Sequence, residues 1–240
     1  MNEIEKNHQL IYIDVRNAMG LSMGLMTFGY KQFVSTKRFE KLETIKKLSE
    51  EFNPNQPPNF NLISDLAFET LLDSIKITIC FENFIKALLI SNGFVIHKLD
   101  KAIFTDLSKK QFKEPISVQQ VLLVKNWEIS SNIDVPHEWM KKQIKGISKN
   151  TIGMKEMLSE GYLKPLGIPD KIIKLCRPYF EYRNNLHLYS GEFLSFTKSD
   201  YKDFVEIIEF INRDLVRIQN IIVDELKKGE QYKLPVIKYK

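Results

Sequence analysis

Apolar residues recur along most of this chain at the three- and four-residue steps of an α-helix. Breakers are few, with ten glycines and nine prolines in 240 residues. No proline interrupts residues 3–52, a length that predicts two helices. Within them Met19, Met23 and Met26 recur on one face as packing residues, and Gly20 and Gly24 are expected to admit a close neighbour. The run QLIYIDV (9–15) fits a strand as well as a helix. "NPNQPPN" (53–59) cannot continue a helix and marks an organisational boundary. Beyond it, Ser64 is placed to cap a helix running to Ser91, where Asn92-Gly93 supplies a left-handed stop. Phe68, Leu71, Leu72, Ile75, Ile79, Phe81, Phe84, Ile85, Leu88 and Leu89 cover more than half of its circumference, which predicts a central helix.

The later part of the chain reads less plainly. Helices are expected over Ser117–Glu128 and over His137–Met157, the second interrupted near Gly146 or Gly153. Gly167-Ile168-Pro169-Asp170 starts a further helix with proline in its first turn, and Pro178 is expected to kink or restart it before Arg183. It ends at Ser190-Gly191. The sequence from Thr197 to Asp200 is a capping-box pattern, and Phe204, Ile208, Ile211, Leu215, Ile218 and Ile222 then form a seam suited to antiparallel packing or a dimer contact. The lysine-rich end, KKGEQYKLPVIKYK, reads as a solvated tail or as an arm for RNA. The pattern as a whole predicts an all-α helical bundle.

Composition narrows the class. With 43% apolar and 27% charged residues the chain is an ordinary globular one, and the net charge of +5 mildly suits an acidic partner such as nucleic acid. The only cysteines, Cys80 and Cys176, lie in apolar helical patterns, which fits buried thiols in a reducing cytosol. The first residues, MNEIEKNHQL, are acidic where a signal peptide is basic, and AMGLSMGLMTFGY (18–30) is too short to cross a bilayer, so a cytoplasmic protein without membrane partners is expected. There is no phosphate loop, no strand–G-x-G-x-x-G–helix unit, no C-x-x-C and no G-x-S-x-G elbow. "DVPHEW" (134–139) offers Asp134, His137 and Glu138, but position 141 is lysine, so a zincin site is excluded and a solvated turn is the plain reading. No metal or cofactor is expected.

One stretch carries more chemistry than its surroundings: EYRNNLHLYSG (181–191). Arg183 and His187 are four apart, so on a helix they share a face. The pair is either a satisfied polar patch or a site that meets phosphate and moves protons. Arg183-Asn184 followed by His187 resembles the signature of the HEPN superfamily, small all-α domains with an arginine, a polar residue and a histidine about a turn later. Upstream, CFENFIKALLISNGFVIHKLDKAI (80–103) resembles the earlier HEPN helix, with E-x-x-x-K-A-L-L, a glycine stop and a loop leading to His-x-Leu. The resemblance covers residues 59–228. It leaves 1–58 as an N-terminal helical extension and 229–240 as a basic C-terminal tail.

The resemblance implies a helical bundle of HEPN type that acts as a metal-independent endoribonuclease, commonly a toxin or an anti-phage defence effector restrained by an antitoxin or another protein partner. It also implies a homodimer in which two Arg/His pairs meet. His187 would serve as acid or base, Arg183 would stabilise the scissile phosphate, and Asn184 would orient the histidine or bind phosphate. Arg177 is a further candidate for an RNA phosphate, with a solvated arginine as the plain alternative. Tyr179, Phe180, Tyr182 and Tyr189 either stack bases or hold the helix in the core. His97 is expected to cap or pack after the central helix. The family most often puts four to six residues between Arg and His, where this chain has three. That spacing keeps a second reading open, a non-catalytic HEPN module binding RNA, nucleotide or a protein partner.

Overall fold

The computed structural model describes residues 15–36, 44, 47, 60–124, 147–184, 206 and 209–213. Its elements in chain order are α1 (Val15–Val34), α2 (Phe60–Ser91), β1 (His97–Leu99), α3 (Thr105–Gln111), α4 (Val118–Leu122), β2 (Ile147–Thr151), α5 (Met154–Met157), α6 (Glu160–Leu166) and α7 (Asp170–Asn184). The chain divides into two units. The first is drawn from residues 1–26, 84–168 and 216–240, the second from 27–83 and 169–215. Helices α1 and α2 supply residues to both.

The fold is mostly helical, with one departure from the all-α expectation. Strands β1 and β2 pair antiparallel, His97 opposite Thr151 and Leu99 opposite Ile147, with an irregularity between the two pairs. Residues 147–151, read from sequence as part of a helix over 137–157, are therefore strand. Thr151 and Ile152 are β-branched and Ile147 and Ile152 are buried, so the segment gains more as a packed strand than as a helix. Helix resumes only at Met154, after Gly153 in extended conformation.

Helix α2 is the long apolar helix that the sequence predicts, but it begins at Phe60, one turn ahead of Ser64, which lies inside it. It ends as expected at Ser91, with Gly93 left-handed at φ 77°. Phe81, Phe84, Ile85, Leu88 and Leu89 are fully buried, whereas Phe68 is 63% exposed. The central role thus belongs to the second half of the helix.

In the second unit, α1 and α2 run antiparallel. Gly29 of α1 lies against the Cys80 backbone, where a Cβ would stand 3.1 Å from the Cys80 carbonyl, and Lys76 Nζ donates to the Ser35 carbonyl at the end of α1. Gly29 therefore does the close-approach work expected of Gly20 and Gly24. Those two are exposed, with no atom within 4 Å of where a Cβ would stand. Met19 and Met26 are buried as expected, and in the first unit the Ser22 hydroxyl donates to the Ala87 carbonyl.

The first unit is organised around a side-chain amide. Gln111, 5% exposed, accepts from the Leu99 N–H (3.0 Å) and donates through Nε2 to the His97 carbonyl (2.7 Å). His97 and Leu99 are two apart, so their main-chain groups face the same edge of β1. The amide therefore takes up the donor and acceptor that a third strand would have taken. The Gln111 carbonyl in turn accepts from the buried Tyr162 hydroxyl of α6 at 2.5 Å. The expected packing role of His97 becomes a strand position, opposite Thr151.

Helix α4 begins at Ser117 as expected, with a reciprocal cap to Gln120, but it stops at Leu122, short of Glu128. Residues 209–213 are helical with Phe210 and Ile211 buried, in keeping with the last predicted helix. The strand alternative at 9–14, the break at 53–59, the turn at 134–139, the cap at 197–200 and the tail at 229–240 lie outside the described residues.

Three outcomes follow from these environments. Gln111→Leu removes the bonds to the His97 carbonyl and the Leu99 N–H and is expected to lower the unfolding free energy by about 2–4 kcal/mol in urea titration. Lys110→Ala breaks an exposed pair with Glu114 and is expected to change it by less than about 1 kcal/mol. Gly20→Ala and Gly24→Ala remove helix-interior glycine from open positions, so each is expected to stabilise by roughly 0.5–1 kcal/mol. A loss of stability at either would restore the close-approach reading.

Candidate functional site

The candidate residues belong to α7, and its anchoring explains what the sequence places there. Ile172, Ile173, Cys176, Tyr179 and Phe180 are buried, in steps of three and four. Lys171, Lys174, Arg177, Pro178 and Glu181 are exposed. Pro178 has no N–H for the Lys174 carbonyl, and both residues stand on the solvated face, where a missing main-chain bond costs least. The helix consequently continues without a break to Asn184, and the restart expected at Pro178 does not occur.

Helix α7 is fastened to α2 within the second unit. The buried Thr78 hydroxyl donates to its own helix at Ser74 (2.8 Å) and across to the Tyr179 carbonyl (3.2 Å). In an α-helix that same carbonyl receives the N–H of the residue four ahead, which is Arg183. The Thr78 contact therefore fixes the turn that carries the arginine. The Phe81 and Phe180 rings pack tilted, centroids 5.8 Å apart. On the solvated side, Lys171 pairs with Glu206 at 2.8 Å.

Arg183 occupies the last turn of α7 and Asn184 is its final described residue. Arg177 is exposed. His187 and Tyr189 lie outside the described residues. Tyr179 and Phe180 are 7% and 5% exposed, which assigns them to the core rather than to base stacking. Among the described residues no group of three or more His, Cys, Asp or Glu is placed to hold a metal ion, and no helix is long and apolar enough to cross a membrane.

What the sequence did not disclose is the structural work of Gln111 and the exposure of its neighbour Phe112, in the stretch KKQFK (109–113). The signal was present as an aromatic residue set among lysines. Helical periodicity alone gives such a short element no distinct face.

In comparison with known proteins, no protein-family model, curated protein or solved structure matches this chain.

Both thiols are buried, Cys80 on α2 and Cys176 on α7, each 1% exposed. Burial pushes the Cys176 thiol well above its ordinary range, and the neighbouring Cys80 adds to the rise. A neutral, buried thiol is a poor nucleophile. A disulfide reagent at pH 8 is expected to label neither cysteine in the native protein and both after unfolding. Because the folded thiol titrates higher than the unfolded one, the stability it contributes is whole below the unfolded pKa and declines as pH rises beyond about 9. Prompt labelling of the native protein would contradict the packing of α7 on α2.

Proposed function

We propose that this protein is a metal-independent endoribonuclease of HEPN type, acting as a homodimer in which Arg183 and His187 of each protomer meet their partner's. The observation that carries the reading is the continuity of α7 through Pro178 to Arg183-Asn184, anchored at Tyr179 by Thr78. An unbroken helix is what lets an arginine and a residue four ahead share a face. The upstream resemblance spans residues 80–103, of which Cys80–Gly93 forms the second half of α2 and its stop, and His97–Leu99 is strand β1.

The chemistry needs two proton transfers. A base removes the proton from the RNA 2′-hydroxyl, whose oxygen attacks the adjacent phosphorus. An acid then protonates the departing 5′-oxygen. The products are a 2′,3′-cyclic phosphate and a 5′-hydroxyl, and no water or metal is consumed. Histidine ordinarily titrates near pH 6.5, so one His187 as base and the partner protomer's as acid supply both steps near neutrality. Negative charge grows on the phosphate oxygens in the transition state, where the planar Arg183 fork stabilises it better than a point charge. Asn184 orients the imidazole or holds a phosphate oxygen. A toxin or anti-phage effector role, with an antitoxin or other protein as restraint, goes with this chemistry.

One observation favours the non-catalytic alternative: three residues separate Arg183 from His187, fewer than in the usual family pattern. The two readings divide on cleavage of labelled single-stranded RNA in EDTA. The wild type is expected to cut, His187→Ala and Arg183→Ala to lose roughly a hundredfold or more, and a 2′-deoxy substrate to resist. Light scattering should give a dimer. A folded dimer that cuts none of a varied RNA panel would favour the binding module, and a strictly monomeric protein would contradict the two-histidine site.

A further inference from the structure

Phe112 leaves a large aromatic ring in water, at 53% exposure. Loose backbone is the common cause of such exposure, and it does not apply here. Gln111 before it is held by three hydrogen bonds, to Leu99, His97 and Tyr162. Lys113 after it donates its N–H to the Lys110 carbonyl at 2.9 Å. Its own carbonyl rests on α6 at Gly161, where a Cβ would collide with it. Tertiary contacts on both sides fix the backbone, and the ring between them is presented to solvent.

The surroundings of the ring are cationic. Lys101 Nζ stands over it, 5.9 Å from the centroid. Lys98, Lys109, Lys110 and Lys113 are exposed nearby in sequence, and Lys110 pairs with Glu114. Residues 98–114 carry five lysines against Asp100, Asp106 and Glu114, a net +2. The fixed, solvent-facing ring thus lies in a net basic segment, with one ammonium over its face.

A flat π-face edged by ammonium groups complements a polymer that alternates unstacked bases with phosphates. A duplex is a poorer match, because its bases are already stacked on one another. An apolar partner is poorer still, since it would strip water from the lysines without compensating their charge. We propose that this patch binds single-stranded nucleic acid, one base stacking on Phe112 and adjacent phosphates pairing with Lys101, Lys109 and Lys113. The inference stands independently of the ribonuclease reading, because binding here uses neither Arg183 nor His187.

The test is fluorescence anisotropy of a labelled 2′-O-methyl oligouridine with the full chain, a probe that 2′-hydroxyl chemistry cannot cleave. Phe112→Ala is expected to weaken binding roughly tenfold and Phe112→Tyr to retain it. Lys101→Ala combined with Lys113→Ala is expected to flatten the salt dependence by about 0.7 per lost phosphate contact in log–log slope. Circular dichroism should be unchanged in all, since these side chains are exposed. Binding that Phe112→Ala and the lysine pair leave untouched would overturn the proposal. So would a polyglutamate peptide that binds the patch as tightly as the oligouridine, which would assign it to an acidic protein segment. Phe112-dependent binding without RNA cleavage would sustain this inference while removing the ribonuclease reading. Cleavage with binding indifferent to Phe112 would do the reverse.

Discussion

A helix that is apolar around most of its circumference exists in water only when other elements enclose it, and the second half of α2 imposes that requirement. From Phe84 to Ile90 every residue except Lys86 is at most 1% exposed. Fully burying one large apolar side chain contributes about 1.5–3 kcal/mol, so this segment offers a large share of the driving force for folding. Segments around it are arranged to supply cover. The chain turns at Gly93, and residues 93–95 then lie against 116–118, with Val95 N–H donating to Ile116 and Val118 N–H to Gly93.

Enclosure by short elements creates a second problem, because short strands and one-turn helices leave main-chain groups without partners. Gln111 answers it for the open edge of β1 by bonding two main-chain groups through one amide. Tyr162 extends the connection to α6, and its burial, with Glu156 nearby, raises its phenol pKa and keeps it a donor. In the second unit Thr78 plays a comparable part, joining α2 to the turn of α7 that bears Arg183. Both contacts use a buried polar side chain to hold main chain, which fixes geometry more sharply than apolar packing alone.

Much of this was legible in the sequence. The apolar run of α2, its stop at Asn92-Gly93, the start of α4 at Ser117, the buried cysteines and the start of α7 all have local causes that composition and spacing express. Other features depend on distant partners. The strand at 147–151 forms because β1 offers an edge, and Gln111 is buried because His97 and Leu99 await an amide. Gly29 is the contact glycine, rather than Gly20 or Gly24, because of where Cys80 lies. Of the candidate site, the Arg183–Asn184 motif and its helix were legible. The fastening by Thr78 was not, since nothing in the sequence joins positions 78 and 179. The restart expected at Pro178 does not occur, because a proline on the solvated face leaves α7 continuous to Asn184.

The proposed ribonuclease chemistry would leave a signature in its products that no hydrolytic or metal-assisted route to a 3′-hydroxyl shares. Mass spectrometry of the ends formed when the protein cuts a defined single-stranded RNA tests it most directly. The expected result is a 2′,3′-cyclic phosphate on one fragment and a 5′-hydroxyl on the other. Fragments ending in a 3′-hydroxyl and a 5′-phosphate would contradict attack by the 2′-oxygen, and with it the roles given to Arg183 and His187.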